Sequence, residues 1–286
     1  MIIEDLKPII IAALNEDIGS GDITSKATIP ENVLGKGNLL IKDEGIIAGI
    51  DVAEHVFKTV DNGLIFLKYH EDGDKVKNGD IAATIEGSAS SILTAERTAL
   101  NFMQRMSGIA TMAWQFKDKV KHTKAKIIDT RKTVPGLRIV DKIAVKIGGC
   151  ENHRMGLYDM FLIKDNHIAV AGSISKAIER CREYKKLNSI NSLIEVETTN
   201  LLEVTEALKS GADIIMLDNF ELGEMIKAVN LIKGKCKVEA SGGVNIHTVK
   251  EIAETGVDFI SVGALTHSVK SLDISLEVEL SRIHAR

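Results

Sequence analysis

Ile127-Ile128-Asp129-Thr130-Arg131-Lys132 is a short apolar run that ends on charge. The same form recurs downstream as Phe161-Leu162-Ile163-Lys164, Leu193-Ile194-Glu195-Val196-Glu197 and Ile214-Ile215-Met216-Leu217-Asp218. Val238-Glu239-Ala240-Ser241-Gly242-Gly243 and Phe259-Ile260-Ser261-Val262-Gly263 complete the series, and helical patterns separate most members. A buried parallel strand needs an apolar body, and only its C-terminal tip can place polar groups in a shared hollow. These tips predict the mouth of an α/β barrel within residues 126–265. A full barrel has eight strands. A seventh is placed at Ile143-Ala144-Val145-Lys146, so an incomplete barrel is expected.

Upstream the pattern changes. Leu6, Ile9, Ile10, Ala13 and Leu14 mark one face of a helix over residues 1–14, followed by a glycine-punctuated loop over 15–25. Asn38–Lys42, Gly45–Gly49 and Ile65–Tyr69 are candidate strands, with a helix over Asp51–Val60 and turns at Asp72-Gly73-Asp74 and Lys77-Asn78-Gly79-Asp80. Ser90–Val120 predicts one or two long helices, with Ser107-Gly108 as the candidate break. The tail from Leu272 to Ile283 is again amphipathic.

The 286 residues suffice for one barrel with an added domain. Hydrophobic residues make up 44% and charged residues 27%, the balance of a soluble globular chain. A net charge of -4 argues against nonspecific nucleic-acid binding, although basic residues crowd into 131–167. Cys150, Cys181 and Cys236 are widely spaced and form no Cys-x-x-Cys pair, which suggests a reduced, cytoplasmic setting. Acidic Glu4 and Asp5 before a short apolar run do not read as a signal peptide, and no stretch approaches a membrane span.

The strongest chemical signal is Asp129-Thr130-Arg131-Lys132-Thr133-Val134-Pro135-Gly136-Leu137-Arg138. A solvated basic loop is the bland explanation, but cations at a strand end fit an anion site, and arginine offers a planar fork for carboxylate or phosphate. His153, Arg154 and Lys164 flank the next strand and add donors. Glu197 and Asp218 end adjacent strands, where carboxylates can hold ribose hydroxyls or water-clad Mg²⁺, or simply neutralise the cations. Ser241-Gly242-Gly243 and Gly263 with His267 follow the last strands, the usual place for a phosphate in such barrels. Glu195 and Glu239 share strand faces with Glu197 and Ser241, and if they point inward they need cationic partners. No His-x-x-x-His spacing appears and no zinc site is expected. Arg97, taken alone, reads as the partner of a helical neighbour.

At these motifs the chain resembles the quinolinate phosphoribosyltransferase family, also called nicotinate-nucleotide pyrophosphorylase (carboxylating). The resemblance runs from Asn15-Glu16-Asp17-Ile18-Gly19 to Thr266-His267-Ser268. Glu96-Arg97-Thr98-Ala99-Leu100-Asn101, Thr130-Arg131-Lys132-Thr133 with Pro135-Gly136-Leu137-Arg138, and Lys164-Asp165-Asn166-His167 carry it most specifically. Leu217-Asp218-Asn219 and Glu239-Ala240-Ser241-Gly242-Gly243 add to them. The resemblance implies an N-terminal α/β sandwich domain over 1–110, a barrel of about seven strands over 111–269, and a C-terminal helix over 270–286 that rejoins the first domain. It implies a homodimer or higher homo-oligomer with shared active sites, and no nucleic-acid or membrane partner.

The implied reaction joins quinolinate to 5-phosphoribosyl-1-pyrophosphate with Mg²⁺ and yields nicotinate mononucleotide, pyrophosphate and CO₂. By motif, Arg97 (across the interface), Arg131, His153, Arg154 and Lys164 hold the quinolinate carboxylates. Lys132 and Lys164 face the phosphoribosyl donor. Glu197 and Asp218 bind ribose hydroxyls or metal-bound water, and Ser241, Gly242, Gly243, Gly263 and His267 line the 5-phosphate end. Lys132, Lys164, Glu197 and Asp218 are the expected catalytic set. The competing readings are a sister phosphoribosyltransferase for another ring, a lyase using Lys164 as a Schiff-base amine, and a noncatalytic phosphate-binding barrel.

Overall fold

A computed structural model describes residues 2–280, with side chains over 5–279. The chain opens with α1 (Ile2–Ile18), α2 (Ile23–Thr28), β1 (Leu34–Ile41), β2 (Gly45–Ile46), α3 (Ile50–Val60), β3 (Ile65–Lys68), β4 (Lys75–Val76), β5 (Ile81–Ser88) and α4 (Ala89–Val120). It continues through β6 (Lys126–Ile128), α5 (Arg138–Ile147), β7 (Phe161–Ile163), α6 (Asp165–Ala171), α7 (Ile174–Leu187), β8 (Ile194–Thr198) and α8 (Leu201–Lys209). Then come β9 (Ile214–Asp218), α9 (Leu222–Ile232), β10 (Lys237–Ser241), α10 (Val249–Glu254), β11 (Phe259–Ser261), α11 (Ala264–His267) and β12 (Ile274–Leu280). These elements form two compact units. One holds residues 2–114, 134–149 and 268–280, and the other holds 115–133 and 150–267. No helix among the described residues is long and apolar enough to cross a membrane.

The first unit is built on an antiparallel sheet of order β12-β1-β5-β3. Residues of β1 alternate between buried and half-exposed, as a strand with one covered face must. α1 runs four residues beyond the expected helix. The loop expected over 15–25 is cut shorter still by α2, whose start Asp22 caps by accepting from the Thr24 and Ser25 amides, both at 3.0 Å. α4 is one unbroken helix. Ser107 does not break it but bonds the Ala48 amide at 2.9 Å, and Gly108 lies so close to the Lys270 carbonyl that no side chain fits there.

Two expectations are overturned in this unit. The C-terminal segment is a strand over Ile274–Leu280, paired with β1 from Gly35↔Leu280 to Ile41↔Ile274, and residues 281–286 lie outside the described part. Ile274, Leu276 and Val278 alternate with Ser275, Glu277 and Glu279, a period of two that the helix assignment overlooked. The proposed seventh strand at 143–146 is helix α5 instead. Val140, Ala144 and Val145 are fully buried at helical spacing, and Asp141 takes a two-pronged contact from Arg105 at 2.8 Å on each arm. Residues 134–149 therefore group with the first unit, not with the barrel expected over 111–269.

The second unit is a parallel sheet of order β6-β11-β10-β9-β8-β7. The first strand pairs with the last, the closure of a barrel, but β6 and β7 are not paired with each other among the described residues. Among the described residues the barrel is open there and has six strands, and Glu151 is bridged to Ile128 at the free edge of β6.

Candidate active site

At the C-terminal tips of these strands lies a cavity of about 610 Å³. Thr130, Arg131 and Lys132 line it after β6, His153 and Arg154 before β7, and Lys164 just after β7. Glu197 closes β8, Asp218 and Asn219 follow at β9, and Glu239, Ser241, Gly242 and Gly243 come from β10. The register explains the grouping. Glu197, Met216 and Glu239 are aligned across β8, β9 and β10, and so are Asp218 and Ser241, so alternate residues meet the same hollow.

Ten of the thirteen expected site residues therefore share one cavity. Gly263 and His267 sit beside it: a side chain at Gly263 would press on the His267 ring and on the Lys132 stem. Arg97 is exposed on α4 in the other unit and is not among the residues lining the cavity.

The mouth is held by short polar links. Lys164 Nζ lies 2.5 Å from Glu197 Oε2, and the Lys164 amide donates to His167 Nδ1 at 2.9 Å, starting α6. The Lys132 amide donates to Thr130 Oγ1 at 3.0 Å, and Thr266 Oγ1 donates to the Lys132 carbonyl at 2.8 Å. Gly242 has a φ of +94° and lies against Asn219, which leaves no room for a side chain. Burial and the neighbouring Arg131 charge both work against the Arg154 guanidinium. Two cations kept close in this way await an anion.

Deeper in the barrel, Glu195 and Glu239 are buried and both reach His153 Nε2, at 3.0 and 3.5 Å. His153 is the hydrogen-bond partner their inward position demands. Burial opposes charge on His153, but the hydrogen bonds to Glu195 and Glu239 outweigh it and hold the ring up to about 9. Burial and the facing Glu239 push Glu195 up to about 7. His153 Nδ1 accepts from the Arg154 amide at 2.8 Å, so no proton sits on that nitrogen. That contact leaves Nε2 as the nitrogen that turns a proton toward the two carboxyl groups. No linear spacing announces this cluster.

Sequence reasoning left several contributors out of the site. Asp129 is wholly buried and accepts the His153 amide at 2.8 Å. Asn219, at a φ of +56°, donates from Nδ2 to Asp218 Oδ2 at 2.9 Å and from its amide to the Ser241 carbonyl at 2.9 Å. A side-chain amide directly after a strand-end acid was the available signal.

An open parallel barrel with cations, acids and a glycine turn at one mouth defines an α/β-barrel protein with a mouth suited to anions. Two family models match: the quinolinate phosphoribosyl transferase N-terminal domain over residues 22–107 and its C-terminal domain over 109–277. The chain is 48% identical to quinolinate phosphoribosyltransferase (decarboxylating) 1b of Nicotiana tabacum, over 96% of this chain and 83% of that protein. It is 42% identical to the probable nicotinate-nucleotide pyrophosphorylase (carboxylating) of Bacillus subtilis, over 93% and 91%. The crystal structure of NadC from Streptococcus pyogenes superposes with a TM-score of 0.93 at 39% identity, covering 97% of each chain. The chain belongs to the quinolinate phosphoribosyltransferase family.

Proposed function

We propose that this chain transfers the phosphoribosyl group of 5-phosphoribosyl-1-pyrophosphate to quinolinate with loss of CO₂, giving nicotinate mononucleotide and pyrophosphate for de novo NAD synthesis. The observation that carries this reading is one hollow that gathers Arg131, Arg154, Lys132 and Lys164 with Glu197, Asp218 and the Ser241–Gly243 turn. A pyridine with two carboxylates needs several fixed cations, and a sugar phosphate needs acids for its hydroxyls and amides for its phosphate.

Arg131, Arg154 and Lys164 hold the carboxylates. His153, expected in the same set, lines the hollow, but its Nε2 is turned to Glu195 and its Nδ1 to the Arg154 amide, so the ring supports Arg154 rather than gripping a carboxylate itself. Lys132 and Lys164 face the donor, and Ser241, Gly242, Gly243, Gly263 and His267 form its 5-phosphate end. Glu197 and Asp218 take the ribose hydroxyls. The pyridine nitrogen carries no proton and needs no base, so the residues position and neutralise rather than attack. As the C–O bond to pyrophosphate breaks, the N–C bond forms. The pyridinium then accepts the electron pair left by CO₂, and that ring carbon takes a proton.

The donor set fits Mg²⁺: two carboxylates at neighbouring strand ends, one already shared with Lys164, suit a cation that keeps most of its water. Glu197 and Asp218 would hold the ion, which would supply positive charge to offset that on the leaving pyrophosphate.

A homodimer with shared sites is part of this reading, with Arg97 serving the neighbouring copy. Mixed dimers of Arg97→Ala and Arg131→Ala chains then regain part of the activity that each variant lacks alone, and no recovery would refute the sharing. A cytoplasmic setting accords with Cys150, Cys181 and Cys236, which form no disulfide among the described residues. Lys164 as a Schiff-base amine is disfavoured, because it lies against Glu197 in the open mouth rather than in a dry apolar pocket.

The deciding assay supplies purified chain with carboxyl-labelled quinolinate, the phosphoribosyl donor and Mg²⁺, with nicotinate as control. Release of labelled CO₂ matched by pyrophosphate is expected, and turnover of nicotinate alone would overturn the assignment.

A further inference from the structure

Below the cavity mouth, the barrel spends two acids on a single imidazole. Glu195 and Glu239 are 0% and 1% exposed, and Oε1 of each has no hydrogen-bond partner among the described residues. Their Oε2 atoms converge on His153 Nε2. A buried charge cluster is a poor stabiliser compared with apolar packing of the same volume, so its placement calls for another reason. The three side chains also offer ligand atoms within 4.8 Å of one another. The proton on Nε2 fills the position a metal ion would need there, which leaves the hydrogen-bonded reading.

What the cluster holds is a two-residue segment outside any helix or strand. The His153 amide donates to buried Asp129, Nε2 donates to the carboxyl pair, and Nδ1 accepts the Arg154 amide. Arg154 Nη1 then donates to the Met160 carbonyl at 3.1 Å, and the residue lines the cavity. A guanidinium fork recognises a carboxylate only when its plane is fixed. We propose that Glu195 and Glu239 are positioning residues for quinolinate binding: acting through His153, they hold the Arg154 guanidinium in the one orientation that meets the substrate's carboxylates.

This inference rests on the quinolinate reading above. The test measures KM for quinolinate and for the phosphoribosyl donor in the full chain and in variants at 195 and 239, with circular dichroism as a fold control. Glu195→Leu and Glu239→Leu raise KM for quinolinate about tenfold or more and leave KM for the donor within about twofold. Glu195→Gln and Glu239→Gln, which keep an acceptor for Nε2–H, recover most of that loss. If the leucine variants fail to fold, Glu195→Asp and Glu239→Asp keep the charge but withdraw the carboxyl from the ring, and they raise KM for quinolinate by about threefold to tenfold. Folded variants with unchanged KM for quinolinate, or with both KM values raised alike, overturn the positioning role alone. A wild-type chain without quinolinate turnover overturns the function itself, and that result precedes any variant.

Discussion

The mouth of the barrel and the layer beneath it carry the same residue types and treat them differently. At the mouth, Lys132 and Lys164 are exposed and Glu197 and Asp218 half-exposed, so water screens each charge. One layer down, Glu195 and Glu239 are shut away from water and depend on His153. Charge at the mouth is there for a ligand, whereas charge below must be satisfied by the protein. Substitutions at the mouth should therefore cost activity, and those below should cost stability first.

The largest effect expected is on the lower layer. His153→Ala leaves two facing buried carboxyls without their donor and lowers folding free energy by about 3–5 kcal/mol, read from urea unfolding. A loss under 1 kcal/mol would erase the distinction between the layers. Arg131→Ala lowers kcat/KM for quinolinate by about 10²–10³-fold, some 3–4 kcal/mol of transition-state binding, with the unfolding midpoint unmoved. Unchanged kcat/KM would remove Arg131 from the assigned role.

A third test uses pH. The His153 site titrates near 9 in the fold against 6.5 for the free side chain, so the native state binds more protons than the unfolded chain between those values. That contribution is complete below the unfolded pKa and is lost as pH rises through the folded one. A fall on the order of 2 kcal/mol is expected across that window, and the Glu195→Gln, Glu239→Gln double variant flattens it. A flat wild-type profile would show that the cluster holds no extra proton. The smallest effect belongs to the far end of the strands, where Lys124 and Lys237 both reach Asp258 at 3.1 Å. Lys124→Ala changes stability by less than about 1 kcal/mol, since Lys124 is largely exposed and Lys237 remains.

The sequence carried the mouth more legibly than anything below it. Each strand that contributes to the cavity ends on a residue whose type declares an anion site, and period-two alternation then decides which side chains share the hollow. Glu195 and Glu239 were visible as inward acids, but their partner was not, because His153 lies more than forty positions away from Glu195 along the chain. Helix α5 was misread because Ile143-Ala144-Val145 has strand-like composition while its burial follows helical spacing. The last strand was misread for the opposite reason: Leu272–Ile283 also fits a helical wheel, and only pairing with β1 decides between the two periods. Asn219 was quoted with its motif but given no role, because its left-handed backbone leaves no trace in composition.

The order in which the chain visits its two units has a practical consequence. It passes from one to the other at 114–115, 133–134, 149–150 and 267–268. No single cut, whether by a protease or by the design of a shortened gene, can release either unit whole. A fragment beginning near residue 115 would carry α5 and β12 without β1, the strand that β12 pairs with, and its complement would lack both. Domain-swapping and truncation experiments on this chain must therefore graft segments rather than halves.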